Sequence, residues 1–226
     1  MKIPDCHSWR VTPREAVRIQ KDLSRKLVFR PPKKPIRILA AGEVAYRAFE
    51  ETTFAAVLLF RYPDLTLLES VSATGKTLFP YIPGLLTFRE APVLMQAFSR
   101  LSVKPDVILL DGQGVAHPRS MGIAAHLGFL LNLPSIGCAK SRLCGTYEEP
   151  GLEKGNTASL IDGERTIGTV LRSRTGVKPV FVSPGHRMDI ATSIRIVLSL
   201  CHGYRIPEPL RQAHICVSRL RSNFKT

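Results

Sequence analysis

Three apolar runs crowd one stretch of the chain: Ile36 to Tyr46, Phe54 to Tyr62 and Leu65 to Ser72. Pro63-Asp64 supplies a turn between the second and third. Gaps this short leave no room for a crossover helix, so the three runs read as antiparallel neighbours. The period then changes. Leu86, Glu90 and Leu94 sit at helical offsets in a stretch predicted to run from about Leu85 to Leu101. A buried strand follows, Val107-Ile108-Leu109-Leu110, ending at Asp111. A helix is expected around Gly122 to Leu131, then a short strand from Ser135 to Ala139. Strand, helix, strand, helix, strand in that order calls for parallel pairing.

The combination points to an α/β fold of ribonuclease-H-like type. It is a mixed sheet, three antiparallel strands then parallel β-α-β-α-β, with helices on both sides. In that arrangement the first and fourth strands are adjacent. Upstream, Thr12-Pro13-Arg14-Glu15 is a helix start with a capping box, and Ala16, Ile19, Leu23 and Leu27 carry the helix to about Val28. Arg30-Pro31-Pro32-Lys33-Lys34-Pro35 is a linker that cannot continue it. Downstream, Asn156 to Val182 reads as further short strands with a hairpin turn at Asp162-Gly163. Helices are expected over Asp189 to Leu200 and Pro207 to Leu220. With 226 residues and 44% hydrophobic content, one domain over 1–226 is the expectation.

Composition narrows the function. No apolar run approaches the roughly 20 residues that span a bilayer. Met1-Lys2-Ile3-Pro4-Asp5-Cys6-His7 has no apolar stretch of signal-peptide type. The five cysteines are odd in number and contain no CxxC pair, which suits a reducing cytoplasm better than a zinc site or a disulfide frame. The formal net charge is +14, so a polyanion is the natural partner, nucleic acid first and an anionic membrane surface second.

Against that basic background a few acids stand out. Asp111 ends a buried strand, and Gly112-Gln113-Gly114 follows at once, with His117 and Arg119 just beyond. An acid at the carboxyl end of a strand, next to glycines and basic groups, suits metal-dependent phosphate chemistry. Glu43 lies among Ala40-Ala41-Gly42 and Val44-Ala45, where a charge is costly unless paired or metal-bound. Glu90 can face the same spot from its helix. Three such carboxylates would repel one another, and a shared divalent ion removes that penalty. Oxygen-only ligation favours Mg²⁺ or Mn²⁺ over zinc. Each acid also has a plainer reading: Asp111 as a solvated acid in a strand-to-loop turn, Glu43 as a strand-edge acid in solvent, Glu90 as a first-turn acid on a helix dipole. Lys140 can hold a water, neutralise a phosphate or sit solvated. His117 can bond a phosphate, act as an acid or cap a loop.

The motifs resemble those of the endonuclease V family, which cuts nucleic acid beside deaminated adenine. The resemblance rests on Phe79-Pro80-Tyr81-Ile82-Pro83-Gly84-Leu85-Leu86 with Phe88-Arg89-Glu90, on Lys104-Pro105-Asp106 through Asp111-Gly112-Gln113-Gly114 to His117-Pro118-Arg119, and on Gly122 through Gly128. It continues in Pro134 through Leu143, Ser183-Pro184-Gly185-His186 and Tyr204 through Arg211. It implies Mg²⁺-dependent hydrolysis of the second phosphodiester bond 3′ to deoxyinosine, in double- or single-stranded DNA, with inosine in RNA as a further substrate. It further implies catalysis and metal binding at Glu43, Glu90 and Asp111, with Lys140 and His117 assisting and His214 close to the metal. Tyr81 would act as a wedge in the helix. Gly84, Leu86, Gly112 and Ile123 would form the base pocket, with Arg119 at the nucleic acid. A monomer in the cytoplasm is the expectation. One departure is visible: the family pattern has Asp where this chain has Glu43. The extra methylene moves a carboxylate by about 1.5 Å, which makes a weakly catalytic inosine-binding protein the alternative reading. A metal-dependent nuclease for RNA or another lesion is a third.

Overall fold

The computed structural model describes residues 6–46 and 51–224. The N-terminal leader reading falls mainly on residues 1–5, outside that range. Chain order is α1 (Pro13–Ser24), β1 (Ile38–Tyr46), β2 (Thr52–Arg61), β3 (Leu67–Lys76), α2 (Leu86–Ser99), β4 (Val107–Asp111), α3 (Ile123–Leu131), β5 (Ser135–Ala139), β6 (Thr157–Asp162), β7 (Arg165–Leu171), β8 (Val180–Pro184), α4 (Ile190–Ser199) and α5 (Glu208–Asn223).

All eight strands join one mixed sheet in the order β3-β2-β1-β4-β5-β8-β7-β6. The first three pair antiparallel, while β4 runs parallel to both β1 and β5. The late strands extend the same sheet antiparallel from β5. The ribonuclease-H-like order expected from the strand spacing is therefore present, including the β1–β4 adjacency. The hairpin falls where expected, with Asp162 opposite Arg165.

Each strand sends alternate side chains to opposite faces. Leu39, Ala41 and Ala45 of β1, with Val107 and Leu109 of β4, pack in the cluster that includes Ile196, Leu210, Ala213 and Val217 of α4 and α5. Ala40 of β1, with Ile108 and Leu110 of β4, packs toward Ala91, Leu94 and Phe98 of α2 and Leu127 of α3. Among the described residues no helix is long and apolar enough to cross a membrane.

Two boundaries differ from expectation for tertiary reasons. The first helix stops at Ser24 rather than near Val28, although its capping box is present. Val28 is drawn off the helix axis, because its carbonyl accepts from Arg187 N at 2.6 Å and its N–H reaches His186 Nδ1 at 3.4 Å. The third strand starts later and runs on to Lys76, because β2 offers partners as far as Thr52.

Candidate active site

The first strand outruns its parallel neighbour. Gly42 pairs with Leu110, which leaves Glu43 level with Asp111 at the carboxyl end of β4. Glu43 follows the parity of Ala41 and Ala45, and Asp111 that of Leu109, so both acids lie on the α5 side. Glu90 comes from α2, on the other side, and meets them past the end of the sheet. The three line one cavity of about 520 Å³ together with Tyr81, Lys140 and His214.

The expected convergence on a single point takes a looser form. Among the described residues, no three His, Cys, Asp or Glu groups form a ready-made metal cluster. Asp111 is ion-paired to the Lys140 ammonium. Glu43 Oε1 lies 3.3 Å from His214 Nδ1. Each of these two acids thus has a basic neighbour, while Glu43 and Asp111 stay close enough to interact directly.

The acid wall remains electrostatically unsettled. Glu43 is buried, and its Oε2 has no hydrogen-bond partner. Burial, reinforced by the Asp111 charge and only partly offset by Lys140, pushes its carboxyl up to about 9. Burial and then Asp111 push Glu90 up to about 8. Burial pulls the Lys140 ammonium down, but the Asp111 charge and hydrogen bond outweigh it, and the net shift is upward. Burial excludes a solvent-facing Glu43, and a helix that begins at Leu86 puts Glu90 beyond its first turn. An orphaned carboxylate oxygen and two acids that resist ionising form a hard-oxygen donor set, which fits a divalent cation. Glu43, Glu90 and Asp111 would hold it, with His214 at the edge.

The opposite wall is built differently. Gly84, Leu86, Gly112 and Ile123 all line the cavity. Gly84 has φ +77°, and a Cβ there would sit 2.8 Å from Arg119 Nη2. Gly112 has φ +133°, and a Cβ would meet Ile123 Cγ2 at 2.8 Å. Both positions need a residue without a side chain. The Gly84 carbonyl accepts from Arg119 Nη2 (2.6 Å), His117 Nε2 (2.8 Å) and Gln20 Nε2 (3.1 Å).

This geometry changes two expected roles. His117 Nδ1 accepts from the N–H groups of Arg119 and Met121, which leaves Nε2 to donate to Gly84. Neither nitrogen is free to protonate or bond a phosphate, and burial lowers the ring to about 4, so it is neutral. Arg119 is likewise spent on Gly84 and on Gln20 Oε1 at 2.6 Å. Both brace the wall; His117 lines the cavity and Arg119 stands behind it. Tyr81 is 64% exposed at the rim, which disfavours a packed loop aromatic.

Gln20 was absent from the sequence reading. It is fully buried and also donates to Met121 O at 3.1 Å. Its one signal is a polar residue four places after Ala16 on the apolar stripe of α1. Arg205 was also missed. Its Nη2 donates to the carbonyls of Lys140 and Pro179, which fixes the loop that presents Lys140. Ser218 and Arg221 of α5 complete the cavity wall beside His214.

A mixed sheet with an acid-lined pocket at the carboxyl ends of its parallel strands places the molecule among ribonuclease-H-like proteins. The endonuclease V family model matches residues 21–215. An endonuclease V of Methanothrix thermoacetophila is 47% identical over 215 residues, 95% of each chain. Among solved structures, the Streptomyces avermitilis endonuclease V superposes with a TM-score of 0.90 at 39% identity, covering 97% of this chain and 96% of that one. The Ciona intestinalis endonuclease V, solved with a 24mer DNA containing an inosine followed by a ribo-adenosine, gives 0.83 at 26% identity, covering 94% and 98%. This chain belongs to the endonuclease V family and is a nuclease.

Proposed function

We propose that the protein hydrolyses the second phosphodiester bond 3′ to deoxyinosine and leaves a 5′-phosphate, with inosine in RNA as a second substrate. The observation that carries this reading is one cavity holding three carboxylates, a lysine and an exposed rim tyrosine. The inosine-containing DNA bound by the Ciona relative supports the choice of lesion.

Each wall has its part. Tyr81 fills the gap left by an extruded base and offsets an unstacking cost of a few kcal/mol. The base enters beside Gly84, Leu86, Gly112 and Ile123, where close backbone can read the edge of hypoxanthine. His117, Arg119 and Gln20 keep that wall from shifting. Lys140 brings a fixed positive charge to the scissile phosphate while orienting Asp111. Glu43, Glu90 and Asp111 would hold a divalent cation, which would supply polarisation of the phosphate and activation of a water. Mg²⁺ is the expected ion and Mn²⁺ the substitute. The protein acts as a monomer in the cytoplasm.

The test is a labelled duplex with one deoxyinosine, incubated with Mg²⁺ or Mn²⁺. A nick at the second bond 3′ to the lesion is expected. Tight binding without a nick in either metal would make the protein an inosine binder, the reading that the longer Glu43 side chain favours. Equal cutting of unmodified strands would make it a nuclease of another specificity.

A further inference from the structure

At the other end of the sheet lies a groove of about 710 Å³. Pro35, Asp106 and Pro134, just before β1, β4 and β5, are among its lining. Asp106, just before β4, and Asp111, at its end, are five residues apart, roughly 17 Å at strand rise. The groove is therefore a different site from the acid cavity.

Its walls carry Arg30, Lys33, Lys34, Lys104 and Arg187. All five are exposed. Among the described residues none of their side chains has an acidic partner. The one acid in the lining, Asp106, spends Oδ2 on the N–H groups of Arg37 and Ile38, at 2.8 and 2.9 Å. The frame is stiff. Pro31, Pro32 and Pro35 restrict the near wall, and Pro105 and Pro134 the far one. The near wall is also strapped down through the Val28–Arg187 backbone hydrogen bond. Between two lining residues, Val28 and Arg30, Phe29 stands 47% exposed.

A concave track of cations that have no acidic partner among the described residues, with an exposed aromatic beside it, suits a single-stranded nucleic acid. The cations follow the phosphates, and the ring offers a face on which a base stacks. We propose that this groove binds a single-stranded nucleic-acid segment independently of any lesion. The site goes beyond the cleavage reading and does not depend on it.

The experiment measures binding of fluorescent oligo-dT, without metal, across a salt series. One variant carries Arg30→Gln, Lys33→Gln, Lys34→Gln and Lys104→Gln. A control removes four exposed cations elsewhere, by Arg165→Gln, Arg174→Gln, Lys178→Gln and Arg195→Gln, so that net charge falls equally. The groove variant is expected to flatten the slope of log affinity against log salt by up to about 3, and the control far less. Phe29→Ala, at an exposed site where folding is safe, is expected to weaken oligo-dT about 5-fold or more. Equal slopes for the two four-residue variants would overturn the groove. Unchanged affinity in Phe29→Ala, with inorganic tripolyphosphate displacing oligo-dT phosphate for phosphate, would overturn the single-strand assignment. The probe has no inosine and nothing is cut, so a failed nicking assay leaves this result standing.

Discussion

The Gly84 corner and the Glu43 side of the acid cavity are opposites in their hydrogen bonding, although Gln113 Oε1, beside Gly112, is also buried without a partner. On the Gly84 side three donors converge on one carbonyl, and each donor is itself held. On the Glu43 side a buried oxygen has no partner, and two carboxyls sit far above their ordinary value. A satisfied wall fixes a shape that something must fit. An unsatisfied wall stores a demand that a ligand must meet. Under the proposed function, the contrast separates the part that would receive a base from the part that would do chemistry.

The contrast breaks most easily at Asp111. Asp111→Ala removes an acid and strands Lys140, and deoxyinosine nicking is expected to fall by about four orders of magnitude, several kcal/mol of transition-state stabilisation. Single-turnover rates with normal binding would confirm that the loss is chemical. On the satisfied wall, Gln20→Leu takes the side-chain donor from Met121 O, one of three donors from Gly84 O, and the acceptor from Arg119 Nε. It should cost about 2–3 kcal/mol in stability by denaturant unfolding. A neutral result there would mean the wall is less rigid than its hydrogen bonds imply. Tyr81→Ala should slow duplex nicking about 10- to 100-fold and affect a single-stranded inosine substrate much less. Glu43→Asp, the smallest change, should keep or raise activity. A loss as deep as that of Asp111→Ala would show that the site has been rebuilt around the longer acid.

Acid pH probes the buried histidines. Burial holds His126 at about 3 and both His117 and His186 at about 4, against an ordinary 6.5. The unfolded chain therefore binds more protons than the folded one in this window. Their contribution to stability is complete above pH 6.5 and is lost as pH falls toward 4 and 3. The thermal midpoint should drop across that range, and His126, whose Nε2 lies 2.8 Å from His7 Nε2, is the first position to test by substitution.

The central sheet was legible because apolar runs of the right length stood in a telling order. β4 and β5 were read to the residue at their carboxyl ends, where Asp111 and Ala139 stand. The acids were legible for a related reason: charges among alanines and glycines are conspicuous. What stayed hidden was decided by partners distant in sequence. Nothing near Val28 announces that Arg187 will capture its carbonyl. His117 looked like a candidate acid until Gly84 and the Arg119–Met121 backbone were seen to claim both its nitrogens. Gln20 passed as one polar residue on a helix, yet it ties α1 to both Gly84 and Met121.

The claim that a divalent cation completes the acid wall can be measured by calorimetry of Mg²⁺ and Mn²⁺ binding in buffers of different ionisation heat. Glu43 and Glu90, raised to about 9 and about 8, keep their protons at pH 7 in the metal-free protein. Their contribution to metal-free stability is full below the ordinary 4.5 and is lost as pH climbs through 8 and 9. Cation binding at pH 7 is therefore expected to release protons, with the release fading above about pH 9 and absent at every pH once both acids are changed to glutamine. Binding with no proton release at pH 7, or binding that survives that double change intact, would contradict the account.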